Sequence, residues 1–205
     1  MIRSKLIICL ALVLLSAGWA IASQARPFAG NGLLRVRPMD PSLSAGPPSL
    51  VFYREPGVGR ITESPVTGIP LLSPLVNLPP GEYPLAVMGK RGGWLLVAYD
   101  DAGREGWVEM ARWWLYERWE DYLKGRALRP LAGMKHERYA LHAEPLLLSP
   151  RTAYISVGDI LRVIEVKEEW ALVDNGRGLS GWFSWKDEDG RFLVSVDDSI
   201  APQKH

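Results

Sequence analysis

The stretch that decides the fold is GEYPLAVMGKRGGWLLVAYDDAGREGWV, residues 81–108. Apolar side chains alternate from Tyr83 to Val87, and a glycine-rich turn then leads to Trp94 and an apolar run. A tight turn, DDAG, delivers the chain to a Gly-Trp pair at 106–107. Strand-length segments separated by clusters of turn residues are typical of an antiparallel meander. The stretch therefore predicts consecutive β-strands.

The same pattern occurs again at 158–183, GDILRVIEVKEEWALVDNGRGLSGWF. Trp170 takes the place of Trp94, and Trp182 takes the place of Trp107 in a second Gly-Trp pair. The two tryptophans are 13 residues apart in the first copy and 12 apart in the second. Such self-similarity indicates an internal repeat, so we expect two copies of one β-structured unit.

The order of a Gly-acid pair, a strand, a turn, Trp, a strand, a short Gly turn and Gly-Trp-aliphatic resembles the bacterial SH3-like domain. RITESP at 60–65 and YALHAEP at 139–145 stand where that family has its first strand and small-residue turn. The family's Asn-Val-Arg-Ser-Gly-Pro run is absent from both copies, so no ligand role attached to it carries over. The resemblance implies a mostly β fold with two small SH3-like β-barrels, at 51–110 and 135–197.

The segment ARWWLYERWEDYLK, residues 111–124, differs in composition from the repeats because it lacks Gly and Pro. A helical wheel puts its acidic residues on one face and an apolar set on the other: Leu115, Tyr116, Trp119, Tyr122 and Leu123. Gly125 is a plausible C-terminal stop. We therefore expect an amphipathic α-helix in a connector, 111–134, that joins the two barrels.

The N-terminal residues 1–22 have the composition of a signal peptide. Arg3 and Lys5 precede an apolar run, and Ala20 and Ala22 suit cleavage before Ser23. An uncleaved membrane anchor is the alternative. Export predicts a periplasmic or secreted protein. A Pro/Gly/Ser-rich linker is expected at 23–50, with a short strand at 33–36, and a loose tail at 198–205.

The composition argues against several classes of function. The one cysteine, Cys9, lies in the leader, so neither disulfides nor thiol chemistry are expected afterwards. Removing Arg3 and Lys5 from the 24 basic residues leaves 22 against 23 acidic ones, which gives no case for nucleic-acid binding.

No enzyme activity is expected, and no catalytic residues, metal or cofactors are assigned. The three histidines lack ligand spacing, and His142 is expected at a solvated strand position. The carboxylate pairs at 100–101, 168–169 and 187–189 lie in predicted turns, where carboxylates are usually solvated.

Aromatic side chains are the remaining functional signal, since the sequence holds nine tryptophans. The candidate ligand-binding residues are Trp94, Trp107, Trp113, Trp114, Trp170 and Trp182. For the four tryptophans within the repeats, the alternative is a place in the cores of the barrels.

Two functions follow as expectations. The first is a non-catalytic exported protein that recognises peptidoglycan or another envelope ligand through its SH3-like barrels, which the resemblance and the leader together imply. The second is a scaffold or accessory subunit that docks onto another envelope protein through the aromatic helix. Membrane contact is expected only through an uncleaved leader.

Overall fold

A computed structural model describes residues 26–39 and 46–197 of the chain. The signal peptide predicted for 1–22 and the tail predicted for 198–205 lie outside the described residues. The structure is mostly β, with 48% strand and 7% helix, and its strands form two antiparallel sheets of seven strands each within the described ranges.

The first sheet comprises β1 (Gly32–Val36), β2 (Ser49–Glu55), β3 (Val58–Pro65), β4 (Tyr83–Arg91), β5 (Trp94–Ala98), β6 (Glu105–Glu109) and β7 (Leu115–Arg118). Its spatial order is β3-β2-β6-β5-β4-β1-β7. A 3-10 turn, Val66–Gly68, follows β3. The strand predicted at 33–36 is confirmed as β1, which pairs with β4 on one side and β7 on the other.

The second sheet comprises β8 (Ala127–Pro130), β9 (Ala140–His142), β10 (Arg151–Tyr154), β11 (Leu161–Lys167), β12 (Trp170–Asp174), β13 (Ser180–Ser184) and β14 (Val194–Asp197). A 3-10 turn, His136–Tyr139, precedes β9. The spatial order, β10-β9-β13-β12-β11-β8-β14, is that of the first sheet with every number raised by seven. The internal repeat predicted from the tryptophan spacing is thereby confirmed at the level of topology.

The stretch that opened the sequence analysis forms β4, β5 and β6. In β5, Leu95 and Val97 are buried in the core, whereas Trp94 and Leu96 are half-buried on the opposite face. This alternation is the period-2 pattern of a strand with one face on the core. Each sheet also carries a bulge in the hairpin that precedes the Gly-Trp strand.

The prediction of two small SH3-like barrels joined by an amphipathic α-helix is wrong. The chain forms two seven-stranded sheets, and the segment predicted as a helix begins with β7 instead. Strand β1 pairs with β7 in an antiparallel register that includes four residues of β7. This pairing is a long-range contact that a helical wheel cannot detect.

The helix that does form, α1 (Trp119–Leu123), has five residues. Its aromatic and leucine side chains, those of Trp119, Tyr122 and Leu123, are buried. The chain leaves it through Gly125, whose φ of 78° confirms the predicted glycine stop. The helix therefore belongs to the protein core and is not an exposed linker.

The two sheets share buried side chains. One apolar cluster belongs to the first sheet, whereas the other combines residues of the second sheet with Leu33, Leu72 and Val76 from the first half of the chain. The amide of Val196 in β14 donates to the carbonyl of Leu75 at 2.6 Å. Residues from the first half of the chain thus complete the core of the second sheet.

Candidate functional site

The first aromatic cluster consists of Tyr53, Trp94 and Trp107 on the outer face of the first sheet. Tyr53 pairs with Trp107 across β2 and β6, and its ring meets that of Trp94 edge-on at 5.5 Å. The guanidinium of Arg91 lies 5.1 Å from the ring of Trp107 and bonds to Glu55 at 3.0 Å. All three aromatic side chains are half-buried, so each keeps part of its surface in water.

The second aromatic cluster consists of His142, Trp170 and Trp182 at the equivalent positions of the second sheet. His142 pairs with Trp182 across β9 and β13, and its ring meets that of Trp170 at 5.2 Å. His142 is 3% exposed and Trp170 is 6% exposed, while Trp182 is half-buried. The expectation of a solvated His142 is therefore wrong, and two of the three rings in this copy are shielded from solvent.

The difference between the clusters coincides with a difference in one connection. In the first sheet β2 and β3 are joined by the two-residue turn 56–57, beside Trp94. In the second sheet β9 and β10 are joined by the loop 143–150, and the carbonyl of Ser149 lies 3.1 Å from Nδ1 of His142. The longer loop thus contacts the second cluster at His142, whereas the short turn lies beside Trp94 of the first cluster.

Trp113 and Trp114 lie apart from both clusters, just before β7. Both indole N–H groups donate to the carbonyl of Arg37 at 3.1 Å, and the Arg37 guanidinium donates back to the carbonyl of Trp113. Trp114 packs against the first core, and Trp113 is 36% exposed. These contacts give the pair a role in fastening the chain that follows β1.

A groove of about 1830 Å³ is lined by residues of both halves of the chain. Its walls are drawn from within residues 26–28, 69–75, 85–103, 131–138, 147–151 and 187–193. None of the six tryptophans predicted as binding residues lines it, although all six are in the described ranges. The structure therefore contains a concave surface that the aromatic pattern did not indicate.

Three of the five carboxylates that line the groove, those of Asp100, Asp187 and Glu188, accept hydrogen bonds from neighbouring donors. Arg138 bonds to both oxygens of Glu188 at 2.9 and 2.6 Å and lowers the pKa of that carboxyl. The backbone N–H of Arg104, at 3.0 Å, lowers the pKa of Asp100, and the Arg104 side chain adds to the effect. Asp187, 8% exposed, accepts from Arg26 at 2.7 Å. A general acid needs a raised pKa, so the lowered pKa values of Asp100 and Glu188 point away from acid catalysis by those two carboxyls.

A half-buried charged cluster lies where β1, β7 and α1 meet. The Arg35 guanidinium is 2.7 Å from Glu82 and 3.7 Å from Glu117. Burial alone would lower the pKa of Arg35, but the hydrogen bond and charge of Glu82 and the charge of Glu117 outweigh it and raise the pKa. Burial raises the pKa of the Tyr122 phenol beside it. The cluster fastens β7 to β1, since its one cation lies between two carboxylates.

Sequence reasoning did not find the groove because its walls come from stretches far apart in the chain. The sequence shows the leucines at 146–148 as an isolated apolar run, and it does not show that Arg26 pairs with Asp187. The fold brings these distant residues to one surface. The tryptophans were detectable because their spacing repeats within one chain.

Within the described ranges, no group of three or more His, Cys, Asp or Glu side chains could hold a metal ion. No helix in those ranges is both long and apolar enough to span a bilayer. No family model matches the sequence, and no curated protein matches it.

Proposed function

We propose that the protein is a non-catalytic binding protein of the cell envelope that recognises an envelope ligand through its first aromatic cluster. Peptidoglycan is the first candidate, because the leader predicts export and the chain carries no case for nucleic-acid binding. The observation that supports the proposal is the asymmetry of the repeat: all three aromatic side chains of the first cluster are half-buried, whereas in the second cluster His142 and Trp170 are buried and Trp182 alone is half-buried.

The first cluster has the properties of a recognition surface. Tyr and Trp offer large contact areas with little side-chain entropy to lose, and a polar edge that can bond to a ligand. Arg91 and Glu55 add a charged pair at the border of the cluster. The second cluster, held by its longer loop, serves the stability of its sheet.

The alternative function, an accessory subunit that docks onto another envelope protein, needs a different surface from the one first assigned to it. The aromatic residues of the expected helix, Trp119 and Tyr122, are buried in the core. Exposed apolar side chains remain near this segment at Trp113 and Leu115. Docking would therefore use the β7 edge and not a helix face.

Co-sedimentation with purified peptidoglycan sacculi tests the proposal. The matched pair of variants is Trp107→Ala and Trp182→Ala, which remove the same side chain from equivalent strands. An aromatic residue at the centre of an interface is expected to cost about tenfold or more in affinity when truncated, so Trp107→Ala should lose binding. Trp182→Ala should bind like the wild-type protein.

Circular dichroism and thermal unfolding of both variants control for the fold. Absence of saturable pelleting by the folded wild-type protein would exclude peptidoglycan as the ligand. Equal loss in both variants would contradict the assignment of the site to the first sheet.

A further inference from the structure

The loop between β9 and β10, residues 143–150, presents three consecutive leucines to solvent. Leu146 and Leu147 are 58% and 57% exposed, and Leu148 is 97% exposed. Single exposed leucines are ordinary on protein surfaces, whereas a contiguous apolar patch marks a site of contact with a protein or a membrane. We call residues 146–148 the leucine tip.

The leucine tip is held by hydrogen bonds within the loop. The amide of Ala143 donates to the carbonyl of Pro150 at 3.0 Å, and the amide of Ser149 donates to the carbonyl of Leu146 at 3.0 Å. The carbonyl of Ser149 also meets the ring of buried His142 at 3.1 Å. The leucines are therefore displayed by a closed loop that is fixed to the second sheet.

The leucine tip has no counterpart in the first sheet. The equivalent connection, between β2 and β3, is the two-residue turn 56–57, whereas the loop between β9 and β10 has eight residues, 143–150. In repeat proteins, insertions that distinguish one copy from another map to loops and often form the binding face. The insertion thus adds an exposed apolar surface to one copy.

The N-terminal end of the described chain lies at the same groove as the leucine tip. Arg26 and Phe28 line that groove together with Leu147 and Leu148, and Phe28 is itself 45% exposed. The apolar N-terminal run of the sequence ends at Ala22, four residues before Arg26. Four extended residues span at most about 14 Å, so where the leader is retained, a bilayer that receives this run lies within that reach of Arg26.

The charges of the groove balance, with five basic and five acidic side chains. They are Arg26, Lys135, Arg138, Arg151 and Arg191 against Asp100, Asp101, Glu137, Asp187 and Glu188. An anionic surface therefore gains little attraction here, and any contact with lipid depends on apolar burial.

We propose that the leucine tip inserts into a lipid bilayer, at the boundary between headgroups and acyl chains, on the side of the protein from which residue 26 emerges. A lipid surface fits better than a protein partner for two reasons. The leucines project from a loop, as an inserting wedge requires, and Arg26, which follows the apolar N-terminal run by four residues in the sequence, lines the same groove. The inference does not depend on the ligand of the first aromatic cluster.

Site-directed fluorescence on the full chain in phosphatidylcholine vesicles tests the inference. Cys9→Ser gives a cysteine-free background, into which Leu148→Cys is introduced and labelled with a nitrobenzoxadiazole dye. The matched control is Val58→Cys, because Val58 is 68% exposed beside the equivalent turn of the first sheet. Leu148 is almost fully exposed, so its replacement leaves the core intact; Leu147→Cys provides a second reporter.

The label at Leu148 is expected to emit at shorter wavelength, to resist aqueous iodide and to be quenched by lipid-borne nitroxides at a depth of about 5–10 Å. The Val58 label should behave as in water. Adding phosphatidylglycerol to the vesicles should leave the measured depth unchanged, since the groove charges balance. Iodide access at Leu148 and Leu147 equal to that at Val58 would overturn the proposal.

Discussion

Gly106 and Gly181 stand at equivalent positions, each as the first residue of a Gly-Trp pair. A Cβ on Gly106 would lie 3.0 Å from the Cβ of Phe52, and one on Gly181 would lie 3.0 Å from the Cβ of Leu141. Because both neighbours are buried, Gly106→Ala and Gly181→Ala are each expected to destabilise the protein by about 1–3 kcal/mol through overpacking. Urea denaturation measures the loss.

Gly93→Ala is the control for these two substitutions. Gly93 has open space around its Cβ position and needs no positive φ, so alanine there is expected to be neutral or to stabilise by up to about 1 kcal/mol. If Gly106→Ala were as stable as Gly93→Ala, close approach of the strands would not explain the Gly-Trp pairs.

The ion pair between Glu188 and Arg138 makes the stability of the folded protein depend on pH. Arg138 lowers the pKa of the Glu188 carboxyl below the ordinary value of 4.5, so the pair contributes stability above that value. This contribution is lost as the pH falls through the lowered pKa of the folded protein. Titration of the Glu188 side-chain carbon by NMR should show the low pKa, and Arg138→Gln should raise it. Identical titrations in both proteins would refute the pairing in solution.

At the scale of elements, the short helix α1 acts through Trp119. Its ring contacts Trp185 and Phe192 at 5.7 and 5.2 Å, and its indole N–H donates to the carbonyl of Ala29 at 2.8 Å. Trp119→Ala removes a buried indole from a packed site and is expected to cost about 3–5 kcal/mol. The midpoint of urea unfolding provides the measurement.

Trp113→Ala is the matched control, because Trp113 lies in the same segment but is 36% exposed. We expect it to cost less than about 1 kcal/mol, as surface substitutions usually do. A cost equal to that of Trp119→Ala would mean that the hydrogen bonds between Trp113 and Arg37 contribute as much to the free energy of unfolding as the packing of Trp119 in the core.

The elements differ in how well the sequence predicts them, and the cause is the range of their contacts. The meander at 81–108 and its second copy follow from local alternation, turns and tryptophan spacing, and they are found as β4–β6 and β11–β13. Strand β7 is different, since Leu115–Arg118 is extended through its pairing with β1, about eighty residues away. An apolar pattern with a helical period could not reveal that partner.

The candidate surfaces, like the strands, are predictable from sequence only where local patterns determine them. Trp94 and Trp107 were named from sequence because their spacing repeats, yet whether each copy is open depends on the turn at 56–57 and on the loop at 143–150. His142 alternates with apolar neighbours, as a solvated residue would, but Trp170 and Ser149 surround it. Side chains from separate strands decide this burial, and only the topology brings those strands together.

At the scale of the whole molecule, the shared core couples the two sheets. Leu72 is 2% exposed, precedes β4 in the chain and donates its amide to the carbonyl of Pro84. Its side chain nevertheless belongs to the apolar cluster of the second sheet. A few residues later, Leu75 bonds to Val196 of β14. Loss of packing at Leu72 therefore acts on both sheets.

Leu72→Ala is expected to destabilise the protein by about 2–5 kcal/mol, the usual cost of a buried leucine. Because the sheets share this core, they should unfold as one cooperative unit, so amide exchange should lose protection equally in β5 and β12. Hydrogen exchange with mass spectrometry reads both strands in one experiment. Val97→Ala, in the core of the first sheet alone, is the matched substitution and should expose β12 as well. If protection survives in β5 while β12 exchanges freely in the Leu72→Ala protein, the sheets unfold independently. The hydrogen bond from the Val196 amide to the Leu75 carbonyl would then be too weak to couple them.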